Sequence, residues 1–370
     1  MKLRYKILTG VATTFVVAIA ALAVTLAYES PCPTTPPTVA DAATMRAVMQ
    51  RCYGQPRVLI VERVAKPVPK EGQILVEVRA GSVNPYEWHK TTGKPYILRF
   101  FKGVGAPDSP RVGSDFAGVI AAVGPGVTRF NAGDEVFGGA HGALAEYLVM
   151  REDGDVALKP AEVSFEQAAA LPIAAVTALQ GLRDHGRIEA GQKVLINGAG
   201  GGVGHFCVQL AKAFGAEVTA TTRPEKFDVV RASGADHLID YTREDFTAGG
   251  RRFDLVLDMG SPASLSKLRS VLVPGGAFVQ VGAAKGTGGP LVRMLSGALR
   301  ARLLKQRVTF FIAKPNLADL DTLRELIEAG KVRPIIEQSY RLDQIAEAIA
   351  YAATEQAGGK ITIRIADSPA

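Results

Sequence analysis

From Met45 to about Ala175, apolar and polar residues alternate in short runs separated by turn residues. The clearest are Ile74-Leu-Val-Glu-Val-Arg79, Gly118-Val-Ile-Ala-Ala-Val-Gly124 and Gly133-Asp-Glu-Val-Phe-Gly138. Alternation with a period of two sends every second side chain to one face, so these runs predict half-buried strands of a small barrel-like β domain. The pattern changes after Pro172. Apolar runs at 193–197, 217–221, 254–258 and 277–281 then alternate with longer helical patterns such as 204–214, which predicts a parallel sheet with helices on both faces. Leu317, Leu320, Leu323, Leu326 and Ile327 form a helical stripe that stops at Gly330. Lys360-Ile-Thr-Ile-Arg-Ile365 reads as a last strand, expected to rejoin the β domain.

The N-terminus follows another rule. Ile7 to Ala27 carries no charge over 21 residues and is preceded by Lys2, Arg4 and Lys6. At about 1.5 Å per residue such a helix crosses a hydrocarbon core of roughly 30 Å. Thr25-Leu26-Ala27 offers small residues for cleavage, but a signal-peptide core is only about 7 to 15 residues long. An uncleaved single-pass anchor is therefore favoured. The positive-inside rule would put the folded body across the membrane from Lys2 to Lys6, which conflicts with a cytoplasmic cofactor, so the side of the membrane stays open. Tyr28 to Thr44, with Pro31, Pro33, Pro36 and Pro37, reads as a stiff tether.

Composition narrows the classes. With 370 residues, 47% hydrophobic and 21% charged, the chain can bury one large or two medium cores. Cys32, Cys52 and Cys207 are far apart and show no Cys-x-x-Cys pair, which argues against a disulfide framework or a closed zinc site. The net charge of +7 comes with no helix-turn-helix, zinc-finger or aromatic RNA-binding pattern, so nucleic acid is set aside.

The most informative segment is Gly191-Gln-Lys-Val-Leu-Ile-Asn-Gly-Ala-Gly-Gly-Gly-Val-Gly-His-Phe-Cys-Val-Gln-Leu-Ala-Lys212. A buried strand enters a glycine turn that opens a helix, so free backbone N–H groups and the positive helix end converge where a pyrophosphate would lie. Ala199, Gly201 and Gly204 hold the fingerprint positions, with Gly200, Gly202 and Val203 completing the turn. Gln192 after glycine, Leu195, small residues at 199 and 200, Gly201-Gly202-x-Gly204, Gln209 and Lys212 together resemble the signature of the zinc-independent quinone oxidoreductase and zeta-crystallin branch of the medium-chain dehydrogenase/reductase family. The resemblance runs from about Met45 to Ile365 and implies a Rossmann domain joined to a GroES-like β-barrel. At the end of the second strand Thr222 replaces the acid that binds ribose in NAD enzymes, and Arg223 and Lys226 follow it. No carboxylate would repel a 2′-phosphate there, which predicts NADPH rather than NADH. Tyr241 matches a family tyrosine that reaches the same phosphate.

Zinc-dependent relatives carry a cysteine where this chain has Asn84 and Gly-His-Glu where it has Gly113-Ser114-Asp115; their four-cysteine lobe is missing as well. No metal is expected. Without a Lewis acid the substrate must delocalise its own charge, as quinones and α,β-unsaturated carbonyls do when they accept hydride. A few donors then suffice, each worth roughly 2.7 to 4 kcal/mol when well aimed. Ser82-Val-Asn-Pro-Tyr-Glu-Trp-His-Lys90 resembles the family segment beside the nicotinamide. It nominates Asn84 to orient the carbonyl and Tyr86 as proton donor, while Glu87 replaces a more usual aspartate; His89 and His141 are weaker candidates. Thr177 matches a family position near the nicotinamide.

Between Asp258 and Asp319 there is no acid but nine basic residues. Leu291, Met294, Leu295, Leu299 and Leu303 give part of this stretch a helical face whose basic side could meet an anionic bilayer. The expected organisation is a membrane anchor and linker over 1–44, a GroES-like catalytic domain over 45–175 rejoined by 315–370, and a Rossmann domain over 176–314. The expected activity is NADPH-dependent reduction of quinones or enones, with a homodimer implied by the family. The alternatives are a non-catalytic NADPH-binding protein, crystallin-like or sensory, and an alcohol dehydrogenase.

Overall fold

The computed structural model describes residue 17 and residues 20–33, 43–260, 265–282 and 306–365. Strands β1 (Thr44–Gln50) and β2 (Leu59–Ala65) form an antiparallel pair. β3 (Gln73–Val83), β4 (Asp115–Val123), β5 (Glu135–Gly139), β6 (Tyr147–Arg151) and β7 (Val156–Leu158) form one sheet with β14 (Ile336–Arg341) and β15 (Lys360–Arg364). Its order is β14-β15-β3-β4-β5-β7, with β6 also on β3. β3 is the spine: Ile74, Val76 and Val78 pack with Phe116, Ile120, Leu148, Ile361 and Ile363. Each such side chain contributes about 1.5–3 kcal/mol by leaving water.

The second sheet is wholly parallel. β8 (Lys193–Asn197), β9 (Glu217–Thr222), β10 (His237–Asp240), β11 (Phe253–Asp258), β12 (Leu272–Gln280) and β13 (Arg307–Phe310) lie in the order β10-β9-β8-β11-β12-β13. Strand order reverses between β8 and β11, and a dinucleotide binds beyond the strand ends at such a switch point. Asn197, at the end of β8, donates to Asp258 Oδ1 (2.8 Å) and accepts from Thr221 Oγ1 (2.5 Å), which ties three strand ends together there. The Rossmann and GroES-like architectures are thus both present.

The expected N-terminal transmembrane helix, and the membrane localisation built on it, must be corrected. No helix among the described residues is long and apolar enough to cross a membrane. Of the expected span, residues 7–16 and 18–19 lie outside the described residues. The described helix over 20–27 rises only about 12 Å at 1.5 Å per residue. Its end is fastened to the protein body: Leu26 is buried, and the carbonyls of Leu26 and Tyr28 accept hydrogen bonds from Arg99 Nη1 (3.2 and 3.0 Å). Glu29 pairs with Arg99 Nη2 at 2.7 Å. The reading of 28–44 as a stiff tether gains an attachment to the body, because Cys32 is disulfide-bonded to Cys52, a bond the sequence had argued against. Residues 34–42 lie outside the described residues, as do Leu291 to Leu303 with the basic face expected there.

Candidate active site

The glycine turn leaves β8 and opens helix α3 (Gly204–Ala213), which follows α1 (Pro85–Thr92) and α2 (Pro172–Gln180) in the chain. A Cβ on Gly204 would lie 2.3 Å from the Gly198 carbonyl oxygen and 2.7 Å from backbone atoms of Ala199, so only glycine lets the helix sit this close to the strand. A Cβ on Gly201 would meet nothing nearer than 3.7 Å, which leaves that side of the turn open for an incoming phosphate. His205 braces the turn from behind. Its Nε2 accepts from Ile335 N–H (3.4 Å), so Nδ1 carries the proton toward the Gly201 carbonyl (3.1 Å). Burial holds this ring down to about 4, hence neutral at pH 7.

At the end of β9, Thr222 is buried and Arg223 is exposed. Arg223 Nε donates to the Tyr241 hydroxyl at 2.6 Å, so two residues matched separately in the sequence lie together. Lys226 turns the other way and donates to the Glu355 carbonyl at 2.9 Å. Gly200 lies against both: a Cβ there would come within 2.6 Å of Thr222 Oγ1 and Lys226 Cβ. The open turn and the Arg223–Tyr241 pair fit an NADPH pyrophosphate and 2′-phosphate.

Where β3 runs into α1, a polar network is buried at the ends of β3, β4 and β15. Asn84 is only 3% exposed. Its Oδ1 accepts from Lys360 Nζ (2.7 Å) and its Nδ2 donates to Asp115 Oδ2 (2.8 Å), which also accepts from Ser82 Oγ (2.7 Å). An ammonium needs an acceptor and a carboxylate a donor, so the amide has one possible orientation. Lys360 Nζ reaches the Val83 carbonyl (3.3 Å) and lies 3.9 Å from Asp115. Burial pushes the Asp115 carboxyl up and the Lys360 ammonium down, against their mutual attraction. With a lysine ammonium already between Asn84 and Asp115, these groups do not fit a zinc ligand set. Among the described residues no group of three His, Cys, Asp or Glu side chains could hold a metal.

Glu87 reaches back to accept from Asn84 N–H (2.8 Å), a helix cap, and its other oxygen accepts from Ser114 Oγ (2.6 Å). Burial pushes its carboxyl up to about 7, with the Ser114 hydrogen bond opposing and the Asp115 charge adding. The folded protein thus binds this proton more tightly than the unfolded chain, whose carboxyl titrates near 4.5. Stability contributed by the neutral form is complete below that value and is lost as pH rises toward 7, by about 3 kcal/mol in all. Glu87→Gln keeps an acceptor for Asn84 N–H and can hold Ser114 by turning its amide N–H toward the hydroxyl oxygen, which reverses that bond. Its urea midpoint should therefore fall less between pH 5 and 8 than that of the wild type; equally steep declines would remove Glu87 as the cause.

The other candidates are dispersed. Tyr86 follows Asn84 but is 37% exposed. Thr177 Oγ1 donates to the Ile173 carbonyl one turn earlier in α2 (2.6 Å), and Ile173 N–H in turn donates to Asp115 Oδ1 (3.2 Å). His89 contacts the Lys94 carbonyl and His141 contacts Ser109. Sequence reasoning did not identify Lys360 as part of the site; its only signal was a charge at the head of an apolar strand.

Similarity to known proteins bears on the fold and the family. A family model for the alcohol dehydrogenase GroES-like domain matches residues 70–161, and one for zinc-binding dehydrogenases matches 233–363. The chain is 35% identical to the 2-methylene-furan-3-one reductase of Solanum lycopersicum, covering 89% of this chain and 81% of that protein. It is 33% identical to the chloroplastic NADPH-dependent alkenal/one oxidoreductase of Arabidopsis thaliana, covering 86% and 79% respectively. The solved quinone oxidoreductase of Coxiella burnetii superposes with a TM-score of 0.76 at 28% identity, over 88% of this chain and all of that one.

Proposed function

The chain belongs to the zinc-independent, quinone oxidoreductase type of the medium-chain dehydrogenase/reductase family, and from that premise we propose that it reduces quinones and α,β-unsaturated carbonyls with NADPH. The glycine turn and the Arg223–Tyr241 pair would hold NADPH, which when bound would supply the hydride for the conjugated carbon. The observation that carries the reading is the Asn84 amide, held by Lys360 on one side and Asp115 on the other. An amide nitrogen has two hydrogens; one goes to Asp115, and the second is the donor we assign to the substrate oxygen. Such a donor is fixed before charge develops, so it needs little reorganisation during the reaction. Thr177 lines the nicotinamide side, Tyr86 is the proposed proton donor, and Arg223 and Tyr241 receive the 2′-phosphate.

The test is loss of NADPH absorbance on adding 1,4-benzoquinone or an aliphatic enone, without added metal or flavin. Turnover with both is expected, and the preference for NADPH over NADH should fall about 10- to 100-fold in Arg223→Asp, the equivalent of a charged hydrogen bond of about 1.5–3 kcal/mol. Absence of turnover with both acceptors would overturn the activity. An unchanged cofactor preference would remove Arg223 from the phosphate site.

A further inference from the structure

Four basic side chains gather beside this site, brought there by four segments of chain. Lys90 lies on α1, one turn beyond Glu87, and its ammonium donates to the Arg111 carbonyl. Lys102 places its ammonium 5.6 Å from the centre of the Tyr86 ring. Arg111 runs along the turn after β5: a Cβ on Gly142 would sit 3.0 Å from its Cβ and Cδ. His141, in that turn, lies 2.6 Å from Ser109 Oγ. Among the described residues none of the four is ion-paired with a carboxylate.

The acids in the neighbourhood form no ion pair with them among the described residues, although the Glu87 charge reaches Lys90. Glu87 is committed to Asn84 and Ser114, and Asp108, exposed, packs its backbone against Lys102, its N–H donating to the Lys102 carbonyl at 2.8 Å, while its carboxylate lies against Gly103. Burial pushes Lys90 down to about 8, with Glu87 opposing and Lys102 adding. Burial also lowers His141, and Lys90, Lys102 and Arg111 add to that effect. The cations therefore feel one another. Holding like charges together without a counter-ion is unfavourable, and an anionic ligand relieves it. Next to them Tyr96, Phe100 and Phe101 expose aromatic and apolar surface.

Resting on the proposed reduction of conjugated carbonyls, we infer that the substrate is an anion. It is an enone or quinone bearing a carboxylate, which Lys90, Lys102 and Arg111 receive while its carbonyl faces Asn84. At about 1.5 Å per residue, Lys90 lies roughly 9 Å along the helix from Asn84, so the carboxylate is several bonds from the reacting carbon. The aromatic surface receives the apolar part between.

The test compares 8-oxodec-9-enoate with its methyl ester, which removes the distal charge and adds one methyl group there. The wild type should show kcat/KM about tenfold or more higher for the acid, with the ratio shrinking as salt is raised. In Lys102→Ala/Arg111→Ala the acid-to-ester ratio should fall to near one. The ratio cancels any general loss of activity in the variant, and the salt titration of the wild type does not depend on the variant folding. Equal use of acid and ester by the wild type, or an unchanged ratio in the double variant, overturns the anion site and leaves the reductase reading standing. Failure of the wild type to oxidise NADPH with either overturns both.

Discussion

Lys360→Met should destabilise the protein by about 3–5 kcal/mol at neutral pH, the cost of removing one partner from a buried charge pair. Methionine keeps the unbranched shape and most of the packing, one atom shorter, but has no proton for Asn84 Oδ1 or the Val83 carbonyl, and it leaves the Asp115 carboxylate 3.9 Å from a vacated charge. Asp115 can respond only by taking up a proton, which burial already favours. The sign of the pH dependence follows. Deprotonating Asp115 becomes more costly in the variant, so its deficit relative to wild type should be smaller at pH 5 than at pH 8. Urea unfolding at both values checks this, and an equal deficit at both would mean that Lys360 acts through packing alone. Activity should fall more than stability predicts, because the Asn84 amide loses the contact that fixes its orientation.

Gly204→Ala should raise the dissociation constant for NADPH by at least about 100-fold, near 2.8 kcal/mol. The added methyl would meet the Gly198 carbonyl and the Ala199 backbone, and no side chain rotation can relieve a clash with main chain. Helix α3 must then move off β8, taking its N–H groups away from the phosphate, at a further stability cost of about 1–3 kcal/mol. Gly201→Ala is the control for mechanism. Its methyl has room in the protein but projects where the pyrophosphate would approach, so it should weaken NADPH binding with little change in melting temperature. Calorimetric titration and thermal melts separate the two; equal thermal losses would mean that both glycines serve only folding.

Local patterns were legible in the sequence, and contacts between distant residues were not. The strand at 193–197 and the helix starting at Gly204 could be bounded closely because strand, glycine turn and helix are adjacent in the chain and each has its own periodicity. The second-strand end was equally readable, since Thr222 and Arg223 follow the turn at a fixed interval. Lys360 and Asn84 are 276 positions apart, and no local pattern announces that a strand-leading lysine will complete an amide cage. Glu87 was visible only as a departure from the family, with its cap and its Ser114 partner hidden until α1 was placed. The apolar N-terminal run misled for a related reason. Hydropathy measures what a segment avoids, whereas Arg99 fixes what its end binds and the Cys32–Cys52 bond ties down the chain just after it.

The position of β15 has a consequence for how the chain assembles. Among the described residues β14 joins the seven-stranded sheet only through β15, and β15 pairs with β3, a strand made near the other end of the chain. As the polypeptide leaves the ribosome, β3, β4 and β5 can associate early, but the edge of β3 that takes β15 stays open until the Rossmann strands have been synthesised. That edge is a row of unpaired N–H and C=O groups, the kind of surface on which strands from other chains add. The nascent β-strand domain is thus most exposed to aggregation while the parallel sheet is folding, and completing the sheet has to await the high loop-closure cost of a contact spanning most of the molecule.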